Sequence, residues 1–160
     1  MASASDVELL FTAVYPRLVR ALSLSFGPEI AEEAVADAFV QADLQWRKVG
    51  AYEDPSAWIR RVAINKALDA SRKETRRRRL HEQTGRSEEA SPDRPSDELV
   101  DLRRAMQAMT PRIRLMFSLF YLSGLSVEEV AQACRVSAGT VKSTLHEARH
   151  RVKPLAEEHP

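Results

Sequence analysis

The chain has 160 residues, of which 44% are hydrophobic and 29% are charged, a composition typical of a soluble protein with one domain or two small ones. Its 24 Lys and Arg against 23 Asp and Glu exclude a uniformly basic histone-like protein and an acidic disordered one. The longest apolar stretches fall short of the roughly 18 residues that span a bilayer. Asp6 and Glu8 lie where a signal peptide would carry Lys or Arg. We therefore expect a cytoplasmic protein without a membrane association.

Side chains that form disulfides or bind metals are sparse. The single cysteine, Cys134, excludes an intramolecular disulfide and a cysteine-rich zinc site. It falls between apolar Val130 and Val136, a context typical of a small buried thiol, with a redox sensor as the rarer alternative. His146 and His150 have the i, i+4 spacing of metal ligands, but no acidic or thiol partner completes a set. We predict no metal and no cofactor.

The hydrophobic pattern favours helices throughout. Only five glycines and no run of alternating β-branched residues predict an all-α protein. Leu10, Val14, Leu18 and Leu22 lie four residues apart within a predicted helix over about 7–26, and Gly27-Pro28 ends this helix. A second helix is predicted over about 29–47. Asp54-Pro55 then starts a third, with a capping carboxylate before proline, and this helix extends toward the arginine tract at 72–79.

Residues 82–98 differ abruptly in composition from what precedes them. They contain six acidic and two basic residues, two prolines and no large apolar side chain. Such a segment buries too little surface to offset the entropy of ordering it, which predicts a flexible linker. The sequence therefore predicts two small helical domains, at 5–80 and 99–155, joined by a flexible linker at 81–98. Each domain is small enough to be only marginally stable by itself.

The stretch LSVEEVAQACRVSAGTVKSTLHEARHRV predicts a helix-turn-helix. Ser126 and Glu129 form a capping box, Ala131 is a small residue for the helix crossing, and Ser137 caps the second helix. That second helix presents polar side chains at its amino end, which suits the reading of base edges in a major groove. The alternative is an ordinary amphipathic hairpin of a helical bundle. The exposed polar positions are Lys142, Ser143, His146, Glu147, Arg149 and His150.

Charge is unevenly distributed over the predicted N-terminal domain. Residues 72–79 (RKETRRRR) hold six basic residues and one acidic residue, whereas residues 21–46 hold five acidic residues and no Lys or Arg. Near this basic tract, Tyr52 and Trp58 add aromatic rings, and rings with cations suit unstacked single-stranded nucleic acid. The tract also fits a solvated face, and Trp58 is at helical spacing with Val62, so it fits a core position equally well.

Two ordered blocks of sequence resemble the extracytoplasmic-function (ECF) group of bacterial RNA polymerase sigma factors. AEEAVADAFVQADLQWRKV is similar to the second helix of sigma region 2, and AWIRRVAINKALDASRKETRRRR is similar to the WLxxIARNLALDxLRRxxR segment of that region. MTPRIRLMFSLFYLSGLSVEEVAQACRVSAGTVKSTLHEAR is similar to region 4. The likeness spans about residues 7–155 except the linker.

This resemblance implies a first domain that docks on the polymerase clamp and melts the −10 promoter element, and a second that reads the −35 element. It implies three partners, namely core RNA polymerase through its clamp and flap, promoter DNA, and an anti-sigma factor. The clamp would be contacted by Glu32, Glu33, Asp37, Phe39 and Gln41. The non-template strand would be bordered by Tyr52, Trp58, Arg61, Asn65, Lys66, Arg72, Lys73, Arg76 and Arg77. The −35 groove would receive Lys142, Ser143, His146, Glu147 and Arg149.

The chain departs from the family pattern at four positions. The usual glutamine of the second helix is Ala36, and the arginine before Asn65 is Ile64. In the recognition helix Thr144 and Glu147 replace two arginines, which should weaken nonspecific DNA binding because cations beside phosphates are lost. A glutamate can accept a hydrogen bond from the cytosine amino group, so an unusual −35 sequence is one hypothesis.

The sequence offers less support for two other classes of function. A free-standing helix-turn-helix regulator would act without polymerase, but no ligand or phosphoacceptor domain is recognisable before the motif. An enzyme is disfavoured because the sequence lacks a glycine-rich phosphate loop, a metal-ligand cluster and a nucleophile motif. We predict a promoter-specificity subunit without catalysis of its own.

Overall fold

A computed structural model describes residues 4–82 and 104–158, and every element in these two ranges is helical. Residues 83–98 of the predicted linker lie outside the described residues, as do residues 99–103 at the start of the predicted second domain, whereas residues 81 and 82 are helical. We call 4–82 the N-terminal half and 104–158 the C-terminal half. The helices are α1 (Ala4–Phe26), α2 (Pro28–Leu44), α3 (Trp46–Val49), α4 (Pro55–Glu82), α5 (Pro111–Tyr121), α6 (Val127–Cys134) and α7 (Ala138–Glu158).

Helix ends lie where the turn and cap residues place them. Gly27 takes a positive φ of 89°, which separates α1 from α2 and places Pro28 at the first helical position. The Asp54 carboxylate accepts a hydrogen bond from Ala57 N at 3.2 Å at the start of α4. The predicted capping box is present, with Glu129 N donating to Ser126 Oγ and Ser126 N to Glu129 Oε1, each at 3.1 Å. Local sequence thus sets the boundaries.

The N-terminal half is a bundle of α1, α2 and α4. Its buried side chains recur at helical spacing on each helix, as the amphipathic pattern predicts. Alanines line much of α2, so its neighbours approach closely. The core members are Leu18, Ala21, Leu22, Ala31, Ala34, Val35, Ala38, Ala42, Ile59, Ala63, Ile64 and Ala67.

Among the residues that the structure describes, one helix has the length and apolar composition of a membrane span, over Asp6–Phe26. This differs from the expectation from the sequence that every apolar stretch is too short to span a bilayer. In the structure Leu18 and Leu22 of this helix are buried against other helices of the bundle. The helix is thus buried along one stripe only, and 22% of its apolar window is buried.

The two halves pack against each other, and one continuous core cluster joins them. Helix α1 contacts α5, and α4 contacts α6. Leu115, Met116 and Leu119 of α5 belong to the same cluster as the core of the N-terminal half. Polar contacts also cross the boundary: Arg60 Nη2 lies 3.4 Å from Glu129 Oε2, and Ser123 Oγ donates to the Arg17 carbonyl oxygen at 3.3 Å. The two predicted domains therefore pack on each other in this structure, an arrangement that the sequence did not predict.

Candidate nucleic-acid interface

The motif predicted as a helix-turn-helix has the geometry of one. Helices α6 and α7 pack together, and Ala131 at their crossing is 8% exposed. Arg135 takes the left-handed conformation (φ 56°, ψ 47°) that turns the chain, and Val136 N closes the turn onto the Ala131 carbonyl oxygen at 3.0 Å. Val141 and Leu145 anchor α7 in the core at 0% and 2% exposure. One side of the second helix is therefore buried in the core, and its outer face lies at the surface.

The outer face of α7 is polar and open. All six polar positions predicted to lie on this face are exposed. Arg149 Nη1 donates to the Tyr121 hydroxyl at 3.2 Å, which fixes its direction. Arg151 Nη2 donates to Glu147 Oε1 at 3.1 Å, while its Nη1 donates to the Ala108 carbonyl oxygen at 2.8 Å. The carboxylate of Glu147 is thus held by a cation that is itself anchored to the backbone.

The two histidines of α7 meet on this face. Nε2 of His146 and Nε2 of His150 lie 3.1 Å apart, and the rings pack edge to face. Within the described ranges, no group of three or more His, Cys, Asp or Glu side chains could hold a metal ion. The two histidines are therefore hydrogen-bonded to each other on the exposed face of the helix.

The amino-terminal part of α4 carries the residues predicted to border single-stranded DNA. Tyr52 is 38% exposed just before the helix, while Trp58 is half-buried and packs on the core cluster. Arg61 and Asn65 are exposed. Lys66 is half-buried, and its Nζ lies 3.9 Å from Asp37 Oδ2 on α2. This salt bridge joins the basic surface of α4 to the acidic surface of α2.

The arginine tract lies on the last turns of α4 and points in two directions. Arg77 Nη2 and Arg78 Nε lie 3.3 and 3.6 Å from Glu74 Oε1, so these two form exposed ion pairs along the helix. Arg72 and Arg76 instead line a cleft between α4 and the C-terminal half. Lys73 is exposed. The tract is therefore divided between arginines that line the cleft and arginines that face only solvent.

The acidic surface of α2 is exposed, with one exception. Glu32, Glu33 and Asp37 are exposed and Gln41 is half-buried. Phe39, predicted as a polymerase contact, is instead 5% exposed, with its ring 5.0 Å from that of Phe11 on α1. The helical stripe turns this aromatic ring inward, where it supports the packing of α1 on α2. The structure therefore places Phe39 in the core rather than on the predicted contact surface.

Two apolar side chains on α2 were missed by the sequence reasoning. Val40 is 57% exposed and Leu44 is 79% exposed, one helical turn apart. The signal that could have found them is their position outside the inward stripe of α2. Exposed apolar side chains beside Glu33 and Asp37 are typical of a protein docking surface.

Cys134 lies at the end of α6, half-buried against the core cluster. Burial raises the pKa of its thiol to about 11, an effect that the nearby Arg112 guanidinium reduces. Because the thiolate is the reactive form, this thiol reacts slowly at neutral pH. The structure supports the interpretation as a small buried thiol over that as a redox sensor.

Comparisons with known proteins decide the family. Residues 10–77 match the family described as Sigma-70 region 2, and residues 99–152 match the family described as Sigma-70, region 4. The chain belongs to the ECF group of the sigma-70 family. The two matches cover α4 as far as residue 77 and the whole helix-turn-helix, so the predicted DNA contacts of this sigma factor lie within them. Members of the family are non-enzymatic transcription initiation factors.

Relatives extend the match along the chain. The RNA polymerase sigma-E factor of Streptomyces avermitilis is 32% identical, over 79% of this chain and 70% of its own length. The ECF RNA polymerase sigma factor SigE of Mycolicibacterium smegmatis is 28% identical, over 87% of this chain and 56% of its own. An uncharacterized protein of Rhizobium meliloti is 28% identical over 95% of this chain, which spans only 39% of that longer protein.

A solved structure resembles the whole arrangement. The sigma factor RpoE in complex with the anti-sigma factor NepR, from Bartonella quintana, has a TM-score of 0.75 and 27% identity to this sigma factor. The likeness covers 98% of this chain and 100% of that one. Both halves therefore take similar positions in the two proteins.

Proposed function

We propose that this sigma factor binds core RNA polymerase and directs it to promoters through contacts with the −10 and −35 elements. The observation that carries the proposal is the open polar face of α7, on a capped helix-turn-helix within the residues that match region 4. A recognition helix with exposed cationic and hydrogen-bonding side chains at its amino end suits base-edge readout. Lys142, Ser143, His146, Glu147 and Arg149 are its proposed −35 contacts.

The proposed polymerase contact is the acidic surface of α2 together with its two exposed apolar side chains. Glu32, Glu33, Asp37 and Gln41 provide charge and hydrogen bonding, and Val40 and Leu44 provide apolar area. Acidic side chains repel DNA, so such a surface requires a protein partner with a basic or polar face. Polymerase is the partner that the family implies.

The proposed −10 surface is α4 and the loop before it. Tyr52, Arg61, Asn65, Lys66, Arg72, Lys73, Arg76 and Arg77 are its contacts, with Trp58 packed behind them as a support. Cations along the helix can follow the phosphates of one strand, while the Tyr52 ring offers a surface for base stacking. In the arrangement of the structure, however, Asn65, Arg72 and Arg76 face the C-terminal half across a cleft.

Run-off transcription with core polymerase tests this function, and it separates a sigma factor from a stand-alone regulator. Purified protein should support initiation from promoter fragments selected in vitro, whereas a stand-alone regulator would bind DNA without restoring initiation. Lys142→Ala should reduce initiation at least tenfold. Lys153→Ala, which removes the same exposed charge further along α7, should change it less than twofold.

Docking on polymerase can be tested without DNA. Val40→Asp should abolish co-purification with core polymerase because it places a charge within the apolar part of the docking surface. Leu9→Asp changes an apolar side chain that is 70% exposed on α1, and it serves as the matched control. Equal co-purification of wild type and Val40→Asp would refute the proposed docking surface.

We further propose control by an anti-sigma factor, a cytoplasmic location, and no catalytic activity. The mutual packing of the two halves is similar to that in RpoE bound to the anti-sigma factor NepR, which supports a packed arrangement that a partner could stabilise. Such a partner would cover α4 and reduce access of the −10 element. This control can be tested by capturing partner proteins with a tagged sigma factor from cells grown under non-inducing conditions. A captured anti-sigma factor should displace core polymerase from the sigma factor.

A further inference from the structure

A cleft of about 610 Å³ separates α4 from the C-terminal half. One wall is the outer face of α4, and the other is built from residues 110–112 and 133–135. Apolar side chains form part of its lining, contributed by Ile64, Leu68, Leu115 and Ala133. Its volume lies within the range of about 300–1,000 Å³ that is usual for small-ligand sites.

The charge in this cleft is one-sided. Five arginines line it and, among the described residues, no carboxylate does: Arg72, Arg76 and Arg79 from α4, and Arg112 and Arg135 from the C-terminal half. Arg72 lies 3.6 Å from Asp69, but the other four form no ion pair within the described ranges. Like charges brought together across a cleft repel one another, so an anion bound between them would relieve that repulsion.

The arrangement selects for phosphate rather than for a single carboxylate. Guanidinium groups bind phosphate oxygens in a bidentate manner, and several of them on two walls suit a ligand with several phosphates. The amino end of α5, capped by Thr110, also opens onto the cleft and adds the positive end of a helix dipole. A duplex would not fit into a space of this volume.

We propose that this cleft binds a small polyphosphate, either an inorganic oligophosphate or a nucleoside polyphosphate. The ligand would bridge arginines of both halves and hold them together. A consequence rests on the proposed function: because Arg72 and Arg76 are also proposed −10 contacts, the polyphosphate and the promoter strand would compete for them.

Calorimetric titration of the full chain with tripolyphosphate tests the site directly. We expect saturable binding at one site per chain. Arg112→Gln and Arg135→Asn should each weaken it at least tenfold, and asparagine tolerates the left-handed conformation at position 135. Arg78→Gln, a tract arginine that pairs with Glu74 and does not line the cleft, should change affinity less than twofold.

Equal losses in Arg78→Gln and Arg112→Gln would overturn the site, because they would show diffuse attraction to the arginine tract. An absence of saturable binding would overturn it as well. Nucleoside triphosphates form the second arm of the titration. If the nucleoside triphosphate binds more tightly than tripolyphosphate, the ligand is a nucleoside polyphosphate whose base contacts the apolar lining. If it binds more weakly, the ligand is an inorganic oligophosphate.

Cys134 provides a second readout because it lines the same cleft. Saturating ligand should slow alkylation of this thiol several-fold, without any polymerase or DNA present. Failure of the proposed function would leave these results unchanged, since neither measurement involves transcription. Unchanged binding of a −10 single strand under saturating tripolyphosphate would refute the competition.

Discussion

The two proposed DNA-binding surfaces of this sigma factor differ in how open they are. The polar side chains at the amino end of α7 are exposed, and no part of the N-terminal half covers them. On α4, by contrast, Asn65, Arg72 and Arg76 face the C-terminal half across a cleft. The packed arrangement therefore leaves the −35 surface available and restricts the −10 surface.

This difference follows from where each half keeps its apolar side chains. Helix α5 buries Leu115, Met116 and Leu119 against the N-terminal half, so α6 and the turn after it lie over α4. Helix α7 packs on α5 and α6, and its polar face stays at the surface. In this arrangement a melted strand on α4 would lie against the C-terminal half, whereas duplex recognition by α7 would not involve the N-terminal half.

The largest expected effect comes from removing the support of the open surface. Leu145→Ala deletes a side chain that is 2% exposed in the core of the helix-turn-helix, at a cost of about 2–5 kcal/mol of unfolding free energy. We expect loss of −35 duplex binding and a lower denaturation midpoint. Thr144→Ala, at the neighbouring half-buried position, is the control. Wild-type stability in Leu145→Ala would contradict the packing.

Changing the charge of the open surface should have the next largest effect. Glu147→Arg replaces an anion with a cation beside the phosphates and releases Arg151 from its 3.1 Å contact. We expect −35 duplex affinity to rise about tenfold, with a salt dependence steeper by about one unit of slope for each added phosphate contact. Gel-shift titrations at several salt concentrations would measure both.

Glu147→Gln removes the charge without adding a cation, so it should fall between wild type and Glu147→Arg. A changed preference at one base pair would support a glutamate contact to cytosine. Unchanged affinity together with unchanged base preference in Glu147→Arg would remove Glu147 from the DNA surface.

Local signals in the sequence predicted most of the fold. The Gly27-Pro28 break, the Asp54 cap and the Ser126–Glu129 capping box all act within a few residues, and each appears where expected. The polar face of α7 was predictable for the same reason, since helical spacing decides which side is buried. Phe39 shows the limit of carrying over a family role, because the stripe of α2 turns this side chain inward.

The packing of the two halves was not predictable from the sequence. Helix α5 packs against α1, across a segment whose composition gives no information on its direction. For the same reason, the sequence did not predict that Arg112 and Arg135 face the arginines of α4. Contacts between distant segments depend on shape complementarity, which periodicity does not encode.

A smaller effect on stability is expected at the amino end of α4, where the proposed −10 surface begins. Asp54→Ala removes the cap of α4 and should cost about 1 kcal/mol of unfolding free energy, measured by urea denaturation at pH 7. The hydrogen bond from Ser56 holds the pKa of the Asp54 carboxyl below its usual value, helped by Ala57 N and Arg60. This contribution is present above the pKa of the unfolded chain and is lost as pH falls through the lowered value.

The difference between wild type and Asp54→Ala should therefore shrink in acid. Glu53→Ala, at the preceding exposed carboxylate, is the control and should leave stability within about 0.5 kcal/mol of wild type at both pH values. A difference that stays constant down to acid pH would show that the cap does not depend on the charge of Asp54.

The smallest expected effect addresses the boundary between the halves. Glu129→Gln keeps the capping box, since glutamine serves at this position, but it removes the charge that lies 3.4 Å from Arg60 Nη2. Loss of a partly exposed ion pair is worth about 0.5 kcal/mol, which makes the separated state two- to threefold more populated. Separation exposes the cleft, so alkylation of Cys134 should accelerate by that factor.

Glu128→Gln removes a neighbouring exposed charge that has no partner among the described residues, and it should leave the rate unchanged. Equal rates in both variants would show that this ion pair does not hold the −10 surface closed.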